Sequence, residues 1–434
     1  MKRSPSCGSF EHGLSRRAFM GGLAAGAAFG VPTLGASSLG AAAGALSNDL
    51  AKSQKRVLMV YLSGGVSQLE SWDPKPGSKT GGPFRAIPTS VPGVHISELL
   101  PHTASQMHRL ALVRGINTAE DDHGKGSLIM HTGRKEEPGI QYPHLGSVCS
   151  KLLGDEAAPL PGYLHITPGG GGGSSPEDAA FLGPRFGPVG ISDGKAPLNI
   201  DRPGGLTPEA DLARQNLRRK VDERFLAARR TARTEAFTQT FDQAKGLMSK
   251  KGLFDIVGEP DRLLDSYGRH DFGRHCLLSR RLLEGGATFV KITHTNYDTH
   301  HENFDFHIEQ LGEFDRSFAT LVDDLHLRGL LSTTLIMVIS EFGRTPNINH
   351  LYGRDHWSKA WSVALGGCGI APGAVVGKTN GQGTEVVDRQ VNGGHLFHTY
   401  FQALGLDSKK NFYIDQRPIP MADPKTEAIR EILA

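Results

Sequence analysis

TTLIMVIS, from Thr333 to Ser340, is the stretch that decides the fold, and it is followed at once by Glu341, Phe342, Gly343 and Arg344. A short, uncharged run of β-branched and aliphatic residues bounded by polar and turn residues predicts a strand buried on both faces, the kind found in parallel sheets. Immediately before it, the pattern over 303–327 predicts a helix, and Thr288–Thr293 before that predicts another strand. RVLMVYL at Arg56–Leu62, stopped by Ser63, Gly64 and Gly65, reads as a further buried strand feeding a turn. Outward from these, helices are expected over Leu99–Leu110, Ser127–His131 (stopped by Gly133), Leu263–Leu283 and Leu396–Leu404, and short strands over Leu110–Arg114 and Ser362–Leu365. Helices alternating with such strands predict a doubly wound, mainly parallel α/β sheet flanked by helices, whose functional loops follow the strand C-ends.

The stretch Pro161–Gly205 is rich in Gly and Pro, including Gly169–Gly173, and is expected to be loop. No GK[ST] follows the glycines, so nothing suggests a phosphate cradle. Thr207 to about Lys251 has few breakers and predicts a long helix or a helical pair, whose Arg218, Arg219, Arg229, Arg230 and Arg233 read as a solvated face. The expected organisation is therefore one α/β domain over 55–434 with a Gly-rich and helical insertion at about 165–260.

The full chain has 434 residues, 48 Lys+Arg, 45 Asp+Glu, 19 His and 4 Cys, with 38% hydrophobic and 21% charged residues, which is a globular composition. SRRAFM at Ser15–Met20 followed by an uncharged Gly/Ala-rich run resembles a twin-arginine export signal, expected to span 1–45 and to make the protein exported. That segment holds Lys2, Arg3, Arg16 and Arg17 against Glu11, so its removal leaves 44 basic and 44 acidic residues. A chain without net charge gives no reason to expect nucleic acid as partner, nor a membrane once the signal is gone. Cys149, Cys276 and Cys368 remain, too few and too scattered for a disulfide framework, though one pair stays open.

Four places bring imidazoles and carboxylates to loops near predicted strand ends. NYDTHHENF puts Asp298, His300 and His301 beyond one strand; SEFGRTP puts Glu341 at the end of the best strand, with Arg344 three residues on. GRDHW places Asp355 beside His356 and Trp357, and DDHGKGSLIMHTGR places Asp121, Asp122 and His123 before a helix. Asp298, His300, Glu341, Asp355 and His356 are candidate metal ligands, with Glu70 and Asp73 as extras, because imidazole nitrogen and carboxylate oxygen form mixed sets around one cation. His123 is a candidate ligand, general base or nucleophile. Arg344 would meet an anion such as phosphate or sulfate, or form a structural ion pair with Glu341. Asp122 also reads as a helix N-terminal acid. His395 and His398 would touch the same site or cap a surface, and His294 and His307 read as packing or surface residues.

These segments together resemble a known arrangement. HGKGSLIMHTGR is similar to the sulfatase signature in which a nucleophilic Cys or Ser opens a run ending in TGR, and TTLIMVISEFG to the ligand-bearing strand end of sulfatases and alkaline phosphatases. ALGGCGIAPG and GGHLFHTYFQALGLD resemble the later strand-turn and final helix of that superfamily. More closely, SRRAFM, LSGGVSQLESWDPKPG, GSLIMHTGR, LLSRRLLEGGATFVKI, YDTHHENF, SEFGRTP and GRDHW resemble domain-of-unknown-function family 1501, largely exported bacterial proteins grouped with the alkaline phosphatases. The resemblance implies an alkaline phosphatase-like fold and a divalent metal ion, with zinc, calcium, magnesium and manganese undistinguished.

Departures bear on activity. The sulfatase spacing puts His123 in the nucleophile position, so no formylglycine forms there; Glu341 and Phe342 replace the Asp-His of the strand end. Ser63 and Gly64 stand where a ligating Asp is usual, and His395 where an Asp opens the last helix. Two functions therefore stand side by side: an exported metal-dependent hydrolase of phosphate or sulfate esters with a modified active site, acting on a small anionic ester or glycan, and a non-catalytic relative that binds metal, glycan or a protein partner.

Overall fold

The computed structural model describes residues 54–434 except 156–157, 170–175 and 229–231, so the expected export signal lies outside the described residues. Eight strands form one sheet: β1 Arg56–Leu62, β2 Leu110–Ile116, β3 Tyr163–Thr167, β4 Val189–Ser192, β5 Phe289–His294, β6 Thr334–Ile339, β7 Trp361–Gly367 and β8 Val375–Val376. Their order is β8-β2-β7-β6-β1-β5-β3-β4. β1 lies parallel between β5 and β6, with Val60 in register with both Ile292 and Val338, and β7 alone runs against its neighbours. The doubly wound, mainly parallel α/β class expected from the sequence is the one observed.

Alternate residues of β1 enter two separate cores. Leu58, Val60 and Leu62 pack with α6 Asp271–Glu284 and α7 Asn303–Leu327 on one face. Val57, Met59 and Tyr61 pack on the other with α1 His123–Thr132, α2 Leu145–Leu153 and α8 Gly393–Ala403. A strand covered on both sides has no solvent face, which is why β1 and β6 read as unbroken apolar runs.

Several local expectations change. Tyr163–Thr167 and Val189–Ser192 are strands inside the stretch expected to be loop; YLHIT is buried at every position, and that burial outweighs its Gly- and Pro-rich flanks. The expected helix over 263–283 is two, α5 Asp261–Tyr267 and α6, because Gly268 adopts φ 88° and the chain restarts at His270. The expected helix over 99–110 shortens to Pro101–Gln106 with a 3₁₀ turn after it. The basic stretch forms a helical pair, α3 Pro208–Ala228 and α4 Ala232–Ser249. Cys149, Cys276 and Cys368 are free and buried, so no pair forms among them. Among the described residues, no helix is long and apolar enough to cross a membrane.

Candidate metal centre

Loops leaving the carboxyl ends of β1, β5 and β6 converge on the first turn of α1. The Asp122 side chain caps α1 by accepting from the Lys125 amide at 3.0 Å, the helix-terminal role open to it from the sequence, and this fixes His123 at the helix start. Beyond β1, Gly64 adopts φ 117°, and a Cβ there would sit 2.4 Å from the Asp298 amide nitrogen. Glycine at that position lets the loops after β1 and β5 touch. A two-residue antiparallel ladder pairs Arg344 with His356 and Gly343 with Trp357, which ties the GRDHW segment to the end of β6.

His123, Asp298, His300, Glu341, Arg344, Asp355 and His356, separated by more than two hundred residues in the chain, come together here. The Nδ1 atoms of the three imidazoles each face an oxygen: His123 lies 2.8 Å from Glu341 Oε1, His300 2.8 Å from Asp355 Oδ1, and His356 2.7 Å from the Asp121 carbonyl. Carboxylates and carbonyls accept hydrogen bonds, so each Nδ1 carries a hydrogen, and Nε2 is the nitrogen each ring turns toward the centre. All three Nε2 atoms turn toward one carboxylate. They lie 3.4 Å (His123), 3.1 Å (His300) and 3.3 Å (His356) from Asp298 oxygens, and the His300 and His356 Nε2 atoms are 3.0 Å apart. The His123 Nε2 is buried and makes no hydrogen bond. Ligand atoms of His123, Asp298 and His356 all fall within 4.8 Å of one another.

Lone pairs crowded in this way repel unless something positive lies among them. One proton relieves one contact, whereas a cation relieves all of them. Three imidazole nitrogens and one carboxylate form a donor set that suits a borderline divalent ion, and groups holding the far nitrogen of each ring are the usual supports of such ligands. The same crowding acts on the charges. The bond to Glu341 draws the His123 pKa above its ordinary value against the opposing effect of burial, with the Asp298 charge adding to it. Burial pushes Asp298 and Glu341 up, but Arg344 and the imidazoles more than reverse this for Asp298, as does chiefly His123 for Glu341, leaving both carboxyls below their ordinary range and ionised.

Some residues take places other than those expected. Arg344 does not face the mouth to meet an anion, nor does it pair directly with Glu341. Its guanidinium is fully buried, donates to the Gly65 carbonyl at 2.9 Å, the Arg354 carbonyl at 3.1 Å and the Gly64 carbonyl, and holds Asp298 Oδ1 at 2.5 Å. The tight ladder at 343–344 turns it back beneath the glycine loop, where it braces Asp298. Glu341 and Asp355 stand behind His123 and His300. Glu341 is 2% exposed and also accepts from the Gly64 amide at 2.8 Å. Glu70 is no extra ligand, being buried against Arg354 at 2.8 Å and Asn303 at 3.0 Å, and Asp73 is held by Lys75 and Thr379.

Outside the cluster, His301 is exposed and joins Tyr352 only through a backbone bridge. His395 completes a capping box with Asn392, and His398 bonds Ser408 and the Asp423 carbonyl. His294 and His307 are packing residues, bonded to Tyr297 and the Ser67 amide. Sequence reading missed the Asp121 carbonyl, since a backbone oxygen leaves no signal in residue identity. It also passed over Lys291, whose signal was a charge in the middle of an apolar strand.

The family model described as "Protein of unknown function (DUF1501)" matches residues 54–433. The chain belongs to the DUF1501 family. No curated protein matches it in sequence. Among solved structures, it is similar to Ps i-CgsB at 11% identity, covering 82% of this chain and 73% of that one, with a TM-score of 0.40. It is similar to the PsFucS1 sulfatase from Pseudoalteromonas sp. at 15% identity, covering 91% and 75%, with a TM-score of 0.36. A third likeness, to the alkaline phosphatase of the Antarctic bacterium TAB5, has 12% identity, coverage of 82% and 99%, and a TM-score of 0.34. The architecture of this DUF1501 member is defined by its own sheet order and register.

Proposed function

We propose that this DUF1501 protein is an exported, metal-dependent hydrolase of phosphate or sulfate esters whose centre is built from His123, His300, His356 and Asp298. The observation that carries the reading is the convergence of three imidazole Nε2 atoms on one carboxylate, each ring held from behind by Glu341, Asp355 or the Asp121 carbonyl. A divalent ion bound there supplies Lewis acidity toward a phosphoryl or sulfuryl oxygen. Charge bookkeeping supports the same reading: the partly exposed Asp298 and Asp355 would repel an anionic ester unless a divalent cation offset them. In this account His123, Asp298, His300 and His356 are ligands, Glu341 and Asp355 orient two of the rings, and Arg344 positions Asp298. The substrate is a small ester or the esterified end of a glycan.

A second reading is favoured by one observation. His123 stands at the start of α1, where related signatures place a nucleophile, and its Nδ1 is committed to Glu341. A protein that keeps the ion but uses it for binding a glycan or protein partner fits that arrangement. The two part on an assay of turnover with chromogenic phosphate monoesters, phosphate diesters and sulfate esters, run beside metal analysis of protein purified without chelator. Turnover that disappears with the ion and in His356→Ala supports the hydrolase. Stoichiometric ion with no turnover supports binding, and absence of any ion contradicts both.

A further inference from the structure

The turn after β1 buries a carboxylate that takes no direct part in the cluster. Glu70 is 0% exposed, and each of its oxygens takes one donor: Oε1 accepts from Arg354 Nη2 at 2.8 Å, and Oε2 accepts from Asn303 Nδ2 at 3.0 Å. The two donors belong to the two segments that bring His300 and His356 to the rim. Asn303 opens α7, and its Oδ1 accepts from the hydroxyl of Thr299, the residue between Asp298 and His300, at 2.6 Å. Arg354 directly precedes Asp355 and His356. Its guanidinium also donates to the carbonyls of Thr345 at 3.0 Å, Thr80 at 2.8 Å and Pro346.

Backbone contacts close the ring. The Arg354 amide donates to the Thr299 carbonyl at 2.9 Å, and the Asn303 amide donates to the Tyr352 carbonyl at 3.0 Å. The Asn349 side chain donates to the His300 carbonyl at 2.9 Å. Segments 298–303 and 345–356 are thus joined to each other and, through one carboxylate, to the turn after β1. Two residues before Glu70, Gln68 grips Arg344 by both backbone groups, accepting from its amide at 3.0 Å and donating to its carbonyl at 2.8 Å. The same turn therefore also fixes the place where the second segment begins. Burial pushes Glu70 up, but Arg354 and then His307 more than reverse this and leave it ionised between its donors.

We propose that Glu70 is a positioning residue of the metal centre: it clamps the segments bearing His300 and His356, so that their Nε2 atoms stand 3.0 Å apart before a cation arrives. The inference rests on the reading of His300 and His356 as ligands. A clamp of this kind acts on the chain behind the rings, not on the rings themselves. Ligands already held in place lose less freedom when an ion binds, and that difference appears as affinity. The clamp is also brittle, because Glu70 and Arg354 are both 0% exposed and neither can turn to water when the other is lost.

The test uses the full chain and three readouts: amide hydrogen exchange without metal, Zn²⁺ affinity by competition with a chelating dye, and the visible absorption bands of the Co²⁺ form. Glu70→Gln keeps the shape and turns one of the two acceptors into an amide that faces a donor. Without metal it should speed exchange about tenfold in both 298–303 and 345–356, the effect of one unsatisfied buried group on local opening. Thr299→Val cuts the link on one side and should speed exchange in 298–303 alone. Glu70→Gln should weaken Zn²⁺ binding about tenfold, the lower end of the range for groups that support metal ligands, and shift the Co²⁺ bands. Glu259→Gln, at a carboxylate held by Arg280 and Arg281 of α6, controls for general loss of stability and should leave all three readouts unchanged. Wild-type exchange in both segments of Glu70→Gln, or wild-type Zn²⁺ affinity in that variant, overturns the proposal. If Glu70→Gln does not fold, wild-type exchange over 298–303 in Thr299→Val overturns it. Because exchange is read without metal, this outcome is separate from failure of the wild-type protein to bind Zn²⁺ or Co²⁺, which overturns the metal reading instead.

Discussion

Two groups of histidines lie in adjacent layers, linked by α1, which carries His123 at its first residue and His131 near its last, and their surroundings contrast. At the rim, His123, His300 and His356 turn toward Asp298, and carboxylates dominate their surroundings; His123 is raised above its ordinary pKa by Glu341 first of all. One layer below, His131, His144 and His165 are lowered, chiefly by burial and then by the Lys291 charge, His144 to about 3. On the metal reading proposed above, the same side chain serves a cation where carboxylates and solvent meet, and it is a neutral packing partner where a lysine already supplies the positive charge. Burial and the sign of the nearest charge decide which, not residue type.

The strongest way to break this contrast is to remove what holds the rim together. Arg344→Leu leaves the Gly64, Gly65 and Arg354 carbonyls without their buried donor and the half-exposed Asp298 without its partner, and should cost about 2–4 kcal/mol in stability, at roughly 1 kcal/mol or more for each buried acceptor left unsatisfied. Denaturant unfolding of the metal-free protein checks it; a loss under about 1 kcal/mol would mean that Asp298 is held by other groups.

Acid sharpens the contrast from below. For a histidine whose folded pKa is depressed, the unfolded chain takes up the proton first, so its contribution is intact above about 6.5 and is lost as pH falls below that value. With a folded value of about 3, His144 alone should cost about 2 kcal/mol by pH 5. His131 and His165 add to the same trend. Stability measured between pH 7 and 5 should therefore fall, and His144→Phe should flatten the slope; a wild-type curve flat over that window would show that these rings are already solvated.

The smallest expected effect marks the edge of the site. His395 belongs to a capping box on α8, so His395→Ala should lower stability by about 0.5–1 kcal/mol and leave metal affinity unchanged. A drop in metal affinity would draw the rim wider than these ligands.

Much of this was legible in the sequence, for physical reasons. RVLMVYL and TTLIMVIS announced strands buried on two faces because nothing polar interrupts them, and Gly133 ends α1 in a left-handed cap as its position foretold. The rim residues could be named because strand C-ends in a parallel sheet share one edge. Their roles could not be read. Whether Glu341 ligates an ion or stands behind His123 depends on how one loop turns after β6, and the direction of the Arg344 side chain depends on a two-residue ladder with a segment twelve residues away. The strand Tyr163–Thr167 was hidden by its Gly/Pro flanks, and Lys291 makes sense only once the histidines of α1, α2 and β3 are seen around it.

Metal content decides the central claim most directly. The full protein, purified without chelator and examined by elemental analysis with Zn²⁺ titration, should carry about one divalent ion per chain. His356→Ala should lower its affinity more than about 100-fold, beyond the range that supporting groups alone produce. An ion-free protein that fails to take up Zn²⁺, or a His356→Ala variant that binds it as tightly as wild type, would contradict the account.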